Sequence, residues 1–106
     1  MLKLKKKDSF DRLFKSGKKF NSKSFSLIAL NDKKKDNFFY AVIVSKKNIP
    51  LAVNRNKIKR LMRAAIKEVF SKFDSAVGLS LFIYNSKKTL SYSLIEEEIY
   101  FLLQKL

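Results

Sequence analysis

The periodicity that begins at Ile58 constrains this chain most. Apolar residues recur at Ile58, Leu61, Met62, Ala65, Ile66, Val69, Phe70 and Phe73, an unbroken i, i+3, i+4, i+7 series. That spacing lays one continuous apolar stripe along an α-helix, and such a stripe must be buried against another layer. At about 100° per residue, Asn56, Arg60, Arg63 and Lys67 fall on the side away from the stripe, with Lys57 and Lys59 flanking them. The segment Ala52 to Arg63 carries five cations and two amides, and no acidic residue occurs between Asn54 and Lys67.

A solvent-facing helix ordinarily intersperses its charges, because opposite signs at i, i+4 stabilise it by about 0.2–0.5 kcal/mol per pair and like signs cost a similar amount. Here the like-charge crowding has no acid to offset it, and a polyanion would relieve it. Guanidinium groups fork onto phosphate oxygens, and an amide such as Asn56 both donates and accepts at a base edge or sugar hydroxyl. The helix therefore reads as an RNA-binding element.

The whole chain agrees with that reading. Its 106 residues, 46% of them hydrophobic, suit one domain (1–106) with a single modest core. A formal charge of +15 predicts an anionic partner, either nucleic acid or an acidic membrane. No apolar run approaches the roughly 20 residues needed to span a bilayer, and the Lys-rich start at residues 1–7 lacks the apolar stretch of a signal peptide. The expectation is a cytoplasmic protein that begins at Met1 and has no membrane partner. Residues 1–7 read as a flexible basic arm that orders on RNA.

Two absences narrow the chemistry. The chain has no cysteine and no histidine, which removes thiolate zinc sites, cysteine nucleophiles, the usual general base of a protein ribonuclease and the commonest metal ligand. The nine carboxylates look structural. Glu96, Glu97 and Glu98 are consecutive, so on a helix they point about 100° apart and do not converge on one ion. Ser93-Leu94-Ile95-Glu96 fits a capping box, with the acids complementing the first turn of a last helix. Asp8 and Asp11 bracket the start of a first helix in the same way. No catalytic residue and no protein metal site is expected.

Punctuation organises the rest. Phe10, Leu13 and Phe14 give a short first helix from about Asp8 to Ser16, and Gly17 sits where a left-handed cap would end it. Phe25 to Leu30 and Phe38 to Val44 read as two strands of a hairpin joined by the polar turn 31–37. The basic helix starts between Pro50 and Asn54 and runs to about Phe73, before Gly78 breaks the pattern. A third strand follows at Leu79 to Tyr84. After the turn Asn85-Ser86-Lys87-Lys88, a last helix covers about Ser93 to Gln104. The order is α-β-β-α-β-α, an α/β (α+β) sandwich whose helices cover a small mixed sheet with a βαβ unit around the basic helix. Lys33 to Lys35, Lys87 and Lys88 read as solvated turn residues.

These residues carry a resemblance. Leu4-Lys5-Lys6, Phe10, Phe14 and Gly17, then Val44-Ser45-Lys46-Lys47, then the run Ala52 to Arg63, are similar to the protein subunit of bacterial ribonuclease P over nearly the whole length. The resemblance centres on that family's Arg-Asn-Arg helix signature. It implies a protein that binds a catalytic RNA subunit and the 5′ leader of precursor tRNA, needs no protein partner, and supports removal of the leader. The RNA would supply the chemistry and hold most of the Mg2+. The resemblance also implies a left-handed βαβ crossover, RNA contacts at Lys46, Lys47, Arg55, Asn56, Lys57, Lys59, Arg60, Arg63 and Lys67, and a leader cleft lined by Phe10, Phe14 and Ile28.

The chain departs from the family pattern in places. Lys57 stands where the signature has its second arginine, Ala64 where a glutamate or glutamine is frequent, and Ile28 where an aromatic occurs. The loop Asn48-Ile49-Pro50-Leu51 lacks the usual glycine. On composition alone a small basic ribosomal protein would be the favourite, and only the signature helix separates the two. A DNA-binding architectural protein fits less well, because no second recognition helix or heptad suggests a dimer, and a free-standing protein nuclease fits least.

Overall fold

In a computed structural model that describes residues 2–3, 13–30, 38–71 and 78–105, the apolar runs form one mixed five-stranded sheet. In chain order the elements are β1 (Leu2–Lys3), α1 (described over residues 13–16), β2 (Lys18–Asn21), β3 (Phe25–Leu30), β4 (Phe38–Val44), α2 (Ala52–Phe70), β5 (Gly78–Tyr84) and α3 (Tyr92–Leu103). Strands lie in the order β1-β4-β5-β3-β2. β4 and β5 run parallel, with Phe38 opposite Gly78 and Val44 opposite Tyr84, so β4-α2-β5 is the crossover unit that the sequence predicts. The α+β class with a mixed sheet is as expected.

The hairpin between β3 and β4 does not form. β5 lies between them, antiparallel to β3 from Phe25 opposite Tyr84 to Leu30 opposite Leu79. The reason is burial: Leu81, Phe82 and Tyr84 are all fully buried, so β5 has apolar side chains on both faces and takes the centre of the sheet. The polar segment 31–37, read as the hairpin turn, lies outside the described residues. An additional strand, β2, pairs with β3. Its sequence Lys-Lys-Phe-Asn carries exposed lysines, which suits an edge, where charge blocks pairing with another chain. On the opposite side, Leu2 and Lys3 pair in parallel with Phe39 and Tyr40. Leu2 and Lys3, expected in a flexible arm, are thus held by backbone pairing to β4, while Met1 and residues 4–7 of that arm lie outside the described residues.

The two long helices cover one face. Ile58, Met62, Ala65, Ile66 and Val69 of α2 are buried against Phe25, Leu27, Tyr40, Val44, Phe82 and Tyr84 of the sheet and Ile95, Ile99 and Leu102 of α3. Each fully buried Leu, Ile, Phe or Met contributes about 1.5–3 kcal/mol. Leu61 and Phe70 border this core half-buried, as the periodicity predicts, and Phe73 lies outside the described residues. α2 ends at Phe70, where the Ser71 N–H bonds the Lys67 carbonyl at 3.2 Å. Gly78, read as the break after the helix, is instead the first residue of β5. The Phe25 and Tyr84 rings meet edge-on at 5.2 Å and 80°, a geometry worth about 0.5–1.5 kcal/mol beyond the area buried.

Two helix ends differ from the sequence reading. α3 is capped by Ser91, whose hydroxyl accepts from the Leu94 N–H at 3.4 Å, not by Ser93. Both serines are competent caps, and the extended backbone at Ser91 selects the earlier one. Glu96 to Glu98 consequently sit mid-helix. Glu98 instead ties α3 to the β2–β3 turn, because its Oε1 accepts from Ser22 Oγ at 2.8 Å and from the Ser24 N–H at 2.7 Å. At the end of α1, Gly17 donates to the Leu13 carbonyl at 2.8 Å, yet its φ is outside the left-handed region. Glycine is required there for room, since a Cβ would lie 2.5 Å from the Leu13 oxygen and 2.9 Å from Ile28 Cγ2.

Candidate nucleic-acid interface

α2 turns Arg60 and Lys67 away from the stripe, but Arg63, expected with them, lies at the stripe's border because it is only about 60° from Ile66 and about 100° from Met62 on the helix. Asn56, Lys57, Arg60 and Lys67 are exposed, while Lys59 and Arg63 border the stripe and are half-buried. The helix begins after Leu51 without a side-chain cap and has no acid in its first turn. The positive end of its dipole, equivalent to roughly half a charge, therefore adds to the cationic potential instead of being neutralised. The Nε of Arg63 is shielded from solvent and has no hydrogen-bond partner. An unpaired buried donor costs about 1–3 kcal/mol.

Arg55 is the exception on this helix. Its Nη1 donates to the carbonyls of Ile49 at 2.9 Å and Pro50 at 2.7 Å, so the side chain is turned back on the preceding loop. At about 100° per residue Arg55 falls over the apolar stripe, not opposite it, which accounts for the direction. Lys46 and Lys47 are exposed on that same loop. The loop is held at three points: Ile49 is buried in the main core, Asn48 Nδ2 donates to the Tyr84 carbonyl at 3.3 Å, and the Asn48 N–H donates to Ser45 Oγ at 3.2 Å.

The β5–α3 loop lies at the same end of the sheet. Asn85 N–H donates to the Ser24 carbonyl at 2.7 Å, and the Tyr84 hydroxyl donates to the Lys88 carbonyl while accepting from the Leu90 N–H. Lys23, Lys46, Lys47, Lys87 and Lys88, all exposed, are thereby gathered on three loops at one edge. In the sequence Lys87 and Lys88 read as isolated turn residues, because pairing between distant strands leaves no trace in local pattern.

The second face of the sheet is covered differently. Leu13 of α1 packs on Ile28 and Leu81, with Leu30, Ala41 and Ile83 around them. Ile28 is only 9% exposed, so it belongs to this smaller core and does not line an open cleft. Phe14, next to Leu13 on α1, is 61% exposed, and Phe10 lies outside the described residues. One row further along, the register sets Ile43, Ile83, Ser26 and Asn21 side by side. Ile43 is 37% exposed, and Ser26 Oγ donates to Asn21 Oδ1 at 2.7 Å while accepting from Asn85 Nδ2 at 2.6 Å. Ile43 and this amide network give the face both apolar and hydrogen-bonding groups. The sequence offered one usable signal for it, the period-2 alternation of β5 that sends Leu81 and Ile83 to the face away from Phe82.

Among the described residues, no three His, Cys, Asp or Glu side chains converge as metal ligands, and no helix is long and apolar enough to cross a membrane.

Comparisons with known proteins point the same way. A family profile described as Ribonuclease P matches residues 1–106. The ribonuclease P protein component of Bacillus cereus is 40% identical over 72 residues, covering 68% of this chain and 62% of that protein. The corresponding component of Finegoldia magna is 28% identical over 98 residues, covering 92% and 84%. Among solved structures, the RNase P protein of Staphylococcus aureus superposes with a TM-score of 0.83 at 29% identity, over 97% of this chain and 93% of that one. The RNase P protein from Thermotoga maritima gives a TM-score of 0.83 at 19% identity, over 98% and 96%, a likeness of fold.

Proposed function

Because the chain belongs to the ribonuclease P protein family, we propose that it is the protein subunit of a ribonuclease P holoenzyme, acting in the cytoplasm to bind a catalytic RNA and assist removal of the 5′ leader from precursor tRNA. The observation that carries this reading is the face of α2, where Asn56, Lys57, Arg60 and Lys67 are exposed on a helix whose opposite side is locked into the core. Binding energy spent on RNA is then not taken from the fold. Phosphates of the RNA subunit dock on these cations, with Lys59 and Arg63 at the margin. A phosphate oxygen that reaches Arg63 Nε through a small shift of the side chain satisfies the one orphaned donor found among the described side chains.

The second sheet face takes the leader. Phe14 offers a ring for base stacking, worth about 1–3 kcal/mol per base, and the Asn21–Ser26–Asn85 network offers amide groups to base edges or sugar hydroxyls. Phe10 is assigned to the same cleft by family likeness. The protein works by offsetting phosphate repulsion and holding the substrate, and it contributes no general base or nucleophile. Magnesium is assigned to the RNA, since this hard cation prefers oxygen ligands such as phosphates and the described carboxylates do not converge. The test is cleavage of precursor tRNA: highly purified protein alone leaves the leader intact, and with the cognate RNA it lowers the magnesium concentration needed. Leader removal by protein free of RNA would overturn the proposal.

A further inference from the structure

Resting on that reading of the RNA interface, we propose that Arg55 is a positioning residue: it clasps the β4–α2 loop so that Lys46 and Lys47 meet RNA phosphates in a fixed geometry, and it makes no phosphate contact itself. Its sequence neighbours suggest the opposite, because it begins the most cationic stretch of the chain. The geometry separates it from them. Both hydrogens of Nη1 are committed to consecutive carbonyls, Ile49 at 2.9 Å and Pro50 at 2.7 Å, whereas Lys57, Arg60 and Lys67 point into solvent from the far side of the helix.

A cation in the first turn opposes the helix dipole, so its placement there needs a compensating role. The two carbonyls supply one. They belong to the stretch between β4 and α2, where Ile49 packs into the core shared with α2 and the Arg55 N–H bonds the Leu51 carbonyl at 3.1 Å; among the described residues, the Arg55 guanidinium adds side-chain hydrogen bonds from α2 to this stretch. On the sheet side, the loop is already fastened through Asn48 to the Tyr84 carbonyl and through the Ile49 N–H to the Ser45 carbonyl at 3.0 Å. The guanidinium closes the remaining side. Lys46 and Lys47 thus project from a loop anchored to both β5 and α2, and the ordering of their backbone is complete before RNA arrives. An unclasped loop must have the backbone of both lysines ordered when RNA binds, so binding weakens by about tenfold even where only part of that ordering is lost.

The test measures affinity of the full-length protein for the cognate RNA subunit across a salt series, for wild type, R55M, the K46A/K47A variant and the triple variant. The proposal expects R55M to weaken binding about tenfold with an unchanged salt slope, since the lysines still reach their phosphates once ordered. It also expects this loss to shrink below about twofold in the K46A/K47A background, because the clasp then has nothing to position. A slope shallower by about 0.9, the signature of one fewer phosphate on the protein for duplex-like helices, or an undiminished tenfold loss in the triple variant, overturns it. R55K serves if R55M does not fold: it keeps the charge but lacks the planar fork, so affinity falls without a change of slope, whereas an arginine acting as a simple phosphate partner loses little. Should K46A/K47A by itself leave affinity unchanged, the loop's part in RNA binding fails and the proposal falls with it, while the cationic face of α2 is untouched.

Discussion

Replacing Gly17 with alanine perturbs the joint between α1 and the sheet at a defined point. The added Cβ would stand 2.5 Å from the Leu13 carbonyl oxygen and 2.9 Å from Ile28 Cγ2, both shorter than ordinary carbon contacts of about 3.5–4 Å. The nearer obstacle is backbone, so relief requires α1 to shift and weakens the 2.8 Å bond from the Gly17 N–H to Leu13. Overpacking of this kind costs typically about 1–3 kcal/mol. Because φ at Gly17 is outside the left-handed region, alanine also recovers about 0.4–1 kcal/mol by restricting the unfolded chain. The net expectation is a loss of roughly 1–2 kcal/mol, or a fall in Tm of about 5–15 °C for a domain of this size. Urea unfolding followed by circular dichroism reads it directly. Trimming Ile28 in the background of G17A removes the 2.9 Å approach but leaves the 2.5 Å one, so no rescue is expected. A G17A protein as stable as wild type, or one restored by Ile28→Ala, would refute the backbone clash as the reason for glycine.

Three further outcomes follow from the geometry. Ser91→Ala should cost about 0.5–2 kcal/mol of stability, the value of an N-cap, while Ser93→Ala should be near neutral, both measured by thermal melting; equal losses would restore Ser93 as the cap. Phe14→Ala removes a ring already 61% exposed, so stability should hardly change, while affinity for leader-bearing precursor falls by roughly 1–3 kcal/mol and affinity for mature tRNA stays the same. Glu98→Gln keeps the shape but exchanges two charge-assisted bonds to Ser22 and Ser24 for neutral ones, and should cost about 1–2 kcal/mol, seen in urea unfolding.

Legibility of this fold in its sequence followed the reach of each signal. The stripe from Ile58 to Val69 is local and redundant, and the structure buries it as the period demands. The Lys-Lys-Phe-Asn strand is invisible in the sequence because an edge strand has one apolar residue and is selected by its partner. The expected β3–β4 hairpin fails because the decision rests with β5, far along the chain, whose two apolar faces claim the centre. Ser91 and Ser93 offer equivalent chemistry, and only the backbone path after Tyr84 and its bond to Lys88 distinguishes them. At the site, the solvent-facing cations of α2 are legible from the helical wheel. The same wheel also places Arg55 over the stripe, a point that motif likeness obscures. Ile28 cannot be recognised as core without knowing that Leu13 and Gly17 sit upon it.

The central claim is that one side of α2 holds the fold while the other holds RNA, and one double variant measures both. In R60A/R63M the methionine preserves the half-buried stem of Arg63 while removing its charge. Affinity for the cognate RNA subunit and thermal unfolding are recorded on the same preparation. The account predicts weaker binding by roughly 1–3 kcal/mol per strong charge-assisted contact and a salt dependence shallower by about 0.9 for each phosphate no longer neutralised, with Tm nearly unchanged. Unfolding of the variant would show that these side chains belong to the core. RNA affinity equal to wild type in a folded variant would show that the cationic face of α2 is solvated surface.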